Sequence, residues 1–183
     1  MNPVRSLILI LSAFIAVSCT SPTIQQNAAG TPDTSIKEFF SGTRTGYGII
    51  KDDTGTVEER FKLTITGAWQ DGTGYLEHIY EYTGGKERVL RWVLEQNPDA
   101  SYTAIPEHNG DRGKLEFRGR TFLFTHIYNG SSTLSGVQTD IRTKVHEWYY
   151  LQPDGSVLLD GEIRPLGFKS GEITAVFSRW KGI

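Results

Sequence analysis

Reactive side chains in this 183-residue chain concentrate in one stretch, His146-Glu147-Trp148-Tyr149-Tyr150. An imidazole, a carboxylate and two phenols within five positions supply donors, acceptors and groups that move protons; the indole adds an apolar wall. In a strand, alternation sends His146, Trp148 and Tyr150 to one face and Glu147, Tyr149 and Leu151 to the other. One reading places His146, Trp148 and Tyr150 inside a barrel as a wall of a ligand site. The commoner arrangement packs the aromatics in a core and leaves His146 at its rim.

A second polar wall is offered by His78 with Tyr80 and Tyr82, in a hairpin whose other arm carries Trp92. The ligand-binding candidates are therefore His78, Tyr80, Trp92, His146, Trp148 and Tyr150. The histidines, at 78, 108, 126 and 146, form no His-x-His or His-Glu-x-x-His pair and have no cysteine partner, so a metal site is not expected. His108 falls in the polar loop Glu107–Asp111, where solvation is expected. Asp99, Asp111 and Asp140 lack the spacing of a calcium loop. There is no Gly-x-Ser-x-Gly elbow and no phosphate-binding glycine loop before a helix. Ser131-Ser132 reads as a flexible loop. No catalytic residue and no cofactor is assigned. Arg91, Arg118, Arg120 and Arg142 face solvent by alternation, and any one of them could meet a ligand carboxylate in bidentate fashion.

The remaining reactive group is Cys19, the only cysteine, so no intramolecular disulfide can form. It closes a segment with one charge at Arg5, an apolar run Leu7–Val17 and the small residue Ser18, which are the parts of a secretory signal. The run is shorter than the roughly 20 residues of a membrane-spanning helix. Ala16-Val17-Ser18-Cys19 resembles a bacterial lipobox, with Ala16 where Leu is commoner. The resemblance implies acylation of Cys19, which then heads the mature chain. Each acyl CH₂ buried in a bilayer contributes about 0.8 kcal/mol, so several chains anchor stably. Thr20, rather than Asp, follows the cysteine, and by likeness to sorting signals this points to the outer membrane facing the periplasm. The expected organisation is a signal at 1–18, a lipidated N-terminus and flexible linker at 19–36, and a domain at 37–183. The linker's Thr20–Thr34 is small, polar and broken by Pro and Gly. A short helical turn over Ser35–Phe40 is expected, capped by Asp33 or Ser35.

Removing Met1–Ser18 takes away Arg5 and no acid, so the net charge moves from −2 to −3. With no Lys/Arg-rich run, this argues against nucleic acid and against a polybasic lipid-binding face. Four Trp, eight Tyr and nine Phe among many Thr, Val and Gly favour strands. From Gly42 onward, short alternating runs separated by turn residues predict about ten strands and almost no helix. The clearest hairpin joins Tyr75–Tyr82 to Glu87–Gln96 through Thr83-Gly84-Gly85-Lys86. Leu76, His78, Tyr80 and Tyr82 share one face there, and Leu90, Trp92 and Leu94 share another. Residues 129–136 read as a Gly/Ser loop. The expected fold is all-β: an antiparallel lipocalin- or calycin-like barrel, with a β-sandwich as the alternative. Closure removes exposed edges, and a ten-strand barrel is wide enough to leave interior space.

Phe39-Phe40-Ser41-Gly42, Asp53-x-Gly55 followed by Phe61, the Tyr82-x-Gly-Gly hairpin with Trp92, Glu147-Trp148-Tyr149-Tyr150-Leu151 and Gly167…Gly171-Glu172…Phe177 occur in an order similar to bacterial lipoproteins of the domain-of-unknown-function family 3833. The resemblance spans about Phe39 to Phe177. It implies a small lipoprotein with a barrel-like domain and no assigned reaction, and an association with fatty-acid modification hints at a lipid partner. Two positions depart from the family's pattern: His146-Glu147 where acids precede the Trp-x-Tyr, and His78 and Leu90 where the hairpin carries Glu and Arg. A polar site built on those groups would be altered here. The expected function is therefore a membrane-anchored protein binding a small apolar or lipid-like ligand. The alternatives are an enzyme acting on a lipid or fatty-acid derivative, with His146 or His78 as acid/base, and a structural envelope protein.

Overall fold

The computed structural model describes residues 22–28, 34–107, 110–134 and 137–177, with the side chains of 131–134 and 137–140 left aside. Cys19, His108 and Trp180 lie outside the described residues. Ten antiparallel strands run in sequence order around a closed barrel. They are β1 (Gly42–Asp52), β2 (Val57–Gln70), β3 (Thr73–Tyr82), β4 (Glu87–Gln96), β5 (Tyr102–Pro106), β6 (Gly113–Arg118), β7 (Thr121–Leu134), β8 (Val137–Leu151), β9 (Val157–Pro165) and β10 (Gly171–Phe177). β1 pairs with β10, from Gly46 opposite Phe177 to Asp52 opposite Gly171, and this seam leaves no open edge. The barrel, not the sandwich, is the fold.

Alternation decides what fills it. Phe61, Leu63 and Ile65 of β2 point inward, as do Leu76, His78 and Tyr80 of β3 and Leu90, Trp92 and Leu94 of β4, all buried. The inner face of β1 instead carries Gly46 and Gly48. A Cβ on Gly46 would run into the Phe177 ring, and one on Gly48 into the Phe61 ring and the Ala175 methyl. These glycines let two large rings fill the barrel beside β1.

One end is plugged. Two short helices precede the strands, α1 (Ile24–Asn27) and α2 (Ile36–Phe40). α2 starts at Ser35, whose hydroxyl accepts from the Glu38 amide at 3.1 Å, a regular N-cap. It drives Ile36, Phe39 and Phe40 into the barrel end, with Phe39 stacked on Phe122 at 4.0 Å and Phe40 edge-on to Tyr149 at 5.6 Å. Arg44 holds the plug by donating to the Phe39 carbonyl at 3.0 Å while lying over the Phe39 ring.

Two sequence expectations change here. The linker is not uniformly free: α1 lies on the outer wall of β7 and β8, where Ile24 is buried with Leu123 and Trp148. Thr121 donates to the Asn27 carbonyl at 3.0 Å. Residues 129–134 continue β7 rather than forming a loop, because ladder pairing with β8 runs on from Asn129 opposite Arg142 to Leu134 opposite Val137.

Candidate functional site

The unplugged end of the barrel carries the site. β8 brings Glu147 inward, paired with Phe124 of β7 on one side and Gly161 of β9 on the other. At Gly161 the strands approach closely: a Cβ there would lie 3.0 Å from the His146 carbonyl oxygen. The carboxylate is fully buried, at 0% exposure. Its oxygens are held separately: the Tyr80 hydroxyl donates to Oε1 at 2.9 Å, and the Tyr149 hydroxyl to Oε2 at 2.7 Å. His126, 1% exposed, places Nε2 3.6 Å from Oε2, beyond a normal hydrogen bond but well within reach of charge.

The histidines form an aromatic girdle behind this carboxylate. Trp92 lies between His78 and His126, with ring centroids at 5.0 and 5.1 Å, and Phe124 packs on Trp92 and His126 at 4.9 and 4.8 Å. Burial alone would raise the Glu147 pKa. The His126 imidazole, the charge of His78 and the Tyr149 hydroxyl outweigh it and hold the carboxyl at about 2. Burial, then the Glu147 charge, pushes both Tyr80 and Tyr149 well above the ordinary phenol range. Both phenols therefore stay protonated as donors to an ionised carboxylate.

Above Glu147 lies a narrow cavity of about 40 Å³, open at one side. Its waist is apolar, formed by Ile50, Leu90, Val145, Ile163 and Ile173; its mouth is formed by Tyr82, Arg88 and Tyr128. That volume admits about one or two waters. The expected interior space is thus mostly filled, because Phe, Tyr and Trp side chains and the α2 plug occupy it. Arg88 is exposed at the mouth, its guanidinium 4.8 Å from the Tyr128 ring centre. Among the described residues it makes no salt bridge. A larger concavity of about 450 Å³ lies at the plugged end between α2 and the β8–β9 turn. It is a surface cleft that holds no buried titratable group, so the chemistry belongs to the smaller cavity.

The six sequence candidates divide. His78, Tyr80 and Trp92 point into the barrel, and Tyr80 touches Glu147 directly. His146, Trp148 and Tyr150 do not line the barrel; they occupy the outer face of β8. The inner positions are Val145, Glu147 and Tyr149, fixed by register against inward Phe124 and Phe122. Trp148 is buried from outside, under Ile24, with Tyr150 stacked beside it at 6.4 Å. His146 is half-buried between strands, and burial followed by the charges of Lys144 and Arg164 lowers its pKa. Of the four arginines singled out, Arg91 pairs with Glu77 and Arg142 with Asp111 on outer faces. Sequence reasoning missed Glu147 and Tyr149, placed on the face opposite the candidates, and also His126 and Arg88. Alternation from Phe122 through Phe124 would have placed His126 and Tyr128 on the inner face. Among the described residues no three His, Cys, Asp or Glu side chains converge as a metal site.

A closed ten-strand antiparallel barrel, plugged at one end and lined with aromatics around a buried carboxylate, is a lipocalin-like fold. Its fold is similar to that of the S-type phycobiliprotein lyase CPES from Guillardia theta, with a TM-score of 0.57 and 11% identity over 82% of this chain and 95% of that one. The model of the family described as protein of unknown function DUF3833 matches residues 13–179, and the chain belongs to that family. No curated protein matches it.

Proposed function

We propose that this chain is a membrane-anchored binding protein, acylated at Cys19, whose barrel receives part of a small amphiphilic, lipid-like molecule through its open end. One observation carries the reading: an ionised, fully buried carboxylate stands at the floor of an open-ended apolar cavity, ringed by phenols and imidazoles. A buried charge is a poor way to stabilise a fold, and a perturbed titratable group in a cleft is a mark of a site. Likeness of fold to a phycobiliprotein lyase agrees with a barrel that takes a ligand. Entry requires the Tyr82, Arg88 and Tyr128 side chains to swing aside, because the resting cavity is too small for an acyl chain. The signal-like segment and lone cysteine support placement in the outer membrane, beside a lipid supply. No nucleic-acid partner is proposed.

Methyl-resolved NMR of the chain from Thr20 onward, titrated with dodecanoate below its micelle concentration, tests this reading. Saturable shifts at Ile50, Val145, Ile163 and Ile173 are expected. Shifts confined to outer-face residues would overturn it.

A second reading, an enzyme acting on a lipid or fatty-acid derivative, is favoured by convergence. An imidazole (His126), a carboxylate (Glu147), phenols (Tyr80, Tyr128) and a guanidinium (Arg88) line one cavity. Such a set can hold and move a proton at a substrate. The histidine concerned is His126, not His146 or His78. Turnover of a bound lipid that is lost in His126→Ala with the fold intact would establish it.

A further inference from the structure

Resting on the binding reading, we propose that the ligand is an amphiphilic carboxylic acid with a hydroxyl a few bonds from its head, the carboxylate held by Arg88 at the mouth and the hydroxyl given to Glu147 below.

The two polar positions differ in kind. Arg88 is a donor-only cation, exposed at the rim, with no carboxylate partner among the described residues. Its parallel N–H groups match the two oxygens of a carboxylate, and Tyr128 beneath it fixes the plane of the guanidinium. Glu147 is acceptor-only. Each of its oxygens takes one phenol, which leaves lone pairs for one further donor. A purely apolar chain lying against that ionised group would strip its surroundings of polarity without replacing it, which is unfavourable. His126 faces Oε2 at 3.6 Å, so the capacity left is on Oε1, which takes only the Tyr80 phenol, and a hydroxyl at that depth supplies it with a second donor.

Tyr80 sets the spacing. It sits directly across the ladder from Arg88, and its hydroxyl touches Glu147. The Arg88 backbone and the Glu147 carboxylate thus lie at the two ends of the Tyr80 side chain, so the hydroxyl belongs near the head and not at the tail. The head and the hydroxyl-bearing carbons lie against Ile50, Val145, Ile163 and Ile173, and the remaining chain passes out through the mouth, because the cavity of about 40 Å³ has no room for it. There the β9–β10 loop offers Leu166 and Phe168, 71% and 78% exposed, as an apolar rim.

The test measures binding of three probes by native mass spectrometry: 3-hydroxyhexadecanoate, hexadecanoate and the methyl ester of the hydroxy acid. With the unaltered protein, the hydroxy acid should bind at least about fivefold tighter than hexadecanoate, as one charge-assisted hydrogen bond implies. It should bind about tenfold or more tighter than its ester. Arg88→Gln should bring the ratio of acid to ester affinity down to about one, with Arg88→Lys restoring part of the preference. The combined variant Glu147→Leu, Tyr80→Phe, Tyr149→Phe should abolish the hydroxyl preference alone. Equal binding of acid and ester, or no effect of the hydroxyl, would overturn the proposal while leaving the binding reading standing. Failure of every probe to bind the unaltered protein would overturn both.

Discussion

Removing Glu147 should weaken the fold, and removing the whole polar cluster around it should not. Glu147→Ala leaves the Tyr80 and Tyr149 hydroxyls, both nearly inaccessible to water, without the oxygens they donate to at 2.9 and 2.7 Å. An orphaned buried hydroxyl costs about 1–3 kcal/mol. Two of them, with the space the side chain vacates, amount to about 3–5 kcal/mol, as found when one partner of a buried polar set is deleted. A domain of this size has about 5–15 kcal/mol in total, so the variant should fold but denature at much lower urea. The combined variant Glu147→Leu, Tyr80→Phe, Tyr149→Phe keeps the volume and leaves neither phenol orphaned. It should lie within about 1 kcal/mol of the unaltered protein, or above it. Urea unfolding followed by circular dichroism reads both variants. A combined variant as unstable as Glu147→Ala would refute the reasoning, because the cluster would then be a structural element and not a site embedded in the fold.

Acid should act through the same carboxyl: with a folded pKa of about 2 against 4.5 unfolded, Glu147 contributes stability that is complete above pH 4.5 and lost as pH falls toward 2, about 3 kcal/mol in all. Urea midpoints between pH 7 and 2 should show this loss in the unaltered protein and a flatter profile in the combined variant. Phe39→Ala should cost about 3–5 kcal/mol by unplugging the barrel end, read by thermal unfolding. Ile24→Asp should release α1 from β8, raising protease cleavage before Thr34 while shifting the global urea midpoint little, because among the described residues its apolar cluster is small, comprising Leu123, Trp148 and Tyr150.

The ladder of ten strands was legible because most turns carry Gly, Asn or Asp and the runs between them alternate. The β3–β4 hairpin is the clearest case: alternation groups Leu76, His78 and Tyr80, and separately Leu90, Trp92 and Leu94, while only the structure turns both groups into the barrel. Which side of β8 faces inward was not legible, because both its faces carry aromatics near Trp148. Trp148 looks like core from sequence and is buried, with Tyr150 half-buried beside it, but from outside, against α1, a four-residue helix in a segment whose composition reads as linker. The inward face therefore fell to Glu147, a residue type that alternation normally assigns to water. His126 was hidden for the same reason, since Leu123 and Ile127 on the opposite face of β7 are also buried. Arg88 sits two residues beyond a turn, where a charge reads as solvated, and only ladder pairing with inward Tyr80 turns it to the mouth. What sequence could not supply is interior volume: strand number set the girth of the barrel, and ring packing with the α2 plug set how little space remains.

The central claim, that the barrel holds an amphiphile at Glu147, is tested most directly by native mass spectrometry with lipid extraction on the chain from Thr20 onward, purified from its own cells. The account predicts a defined co-purifying amphiphile in near one-to-one ratio, recovered in smaller amount from the combined Glu147, Tyr80 and Tyr149 variant. A bare protein mass that stays bare after incubation with a lipid mixture would contradict it.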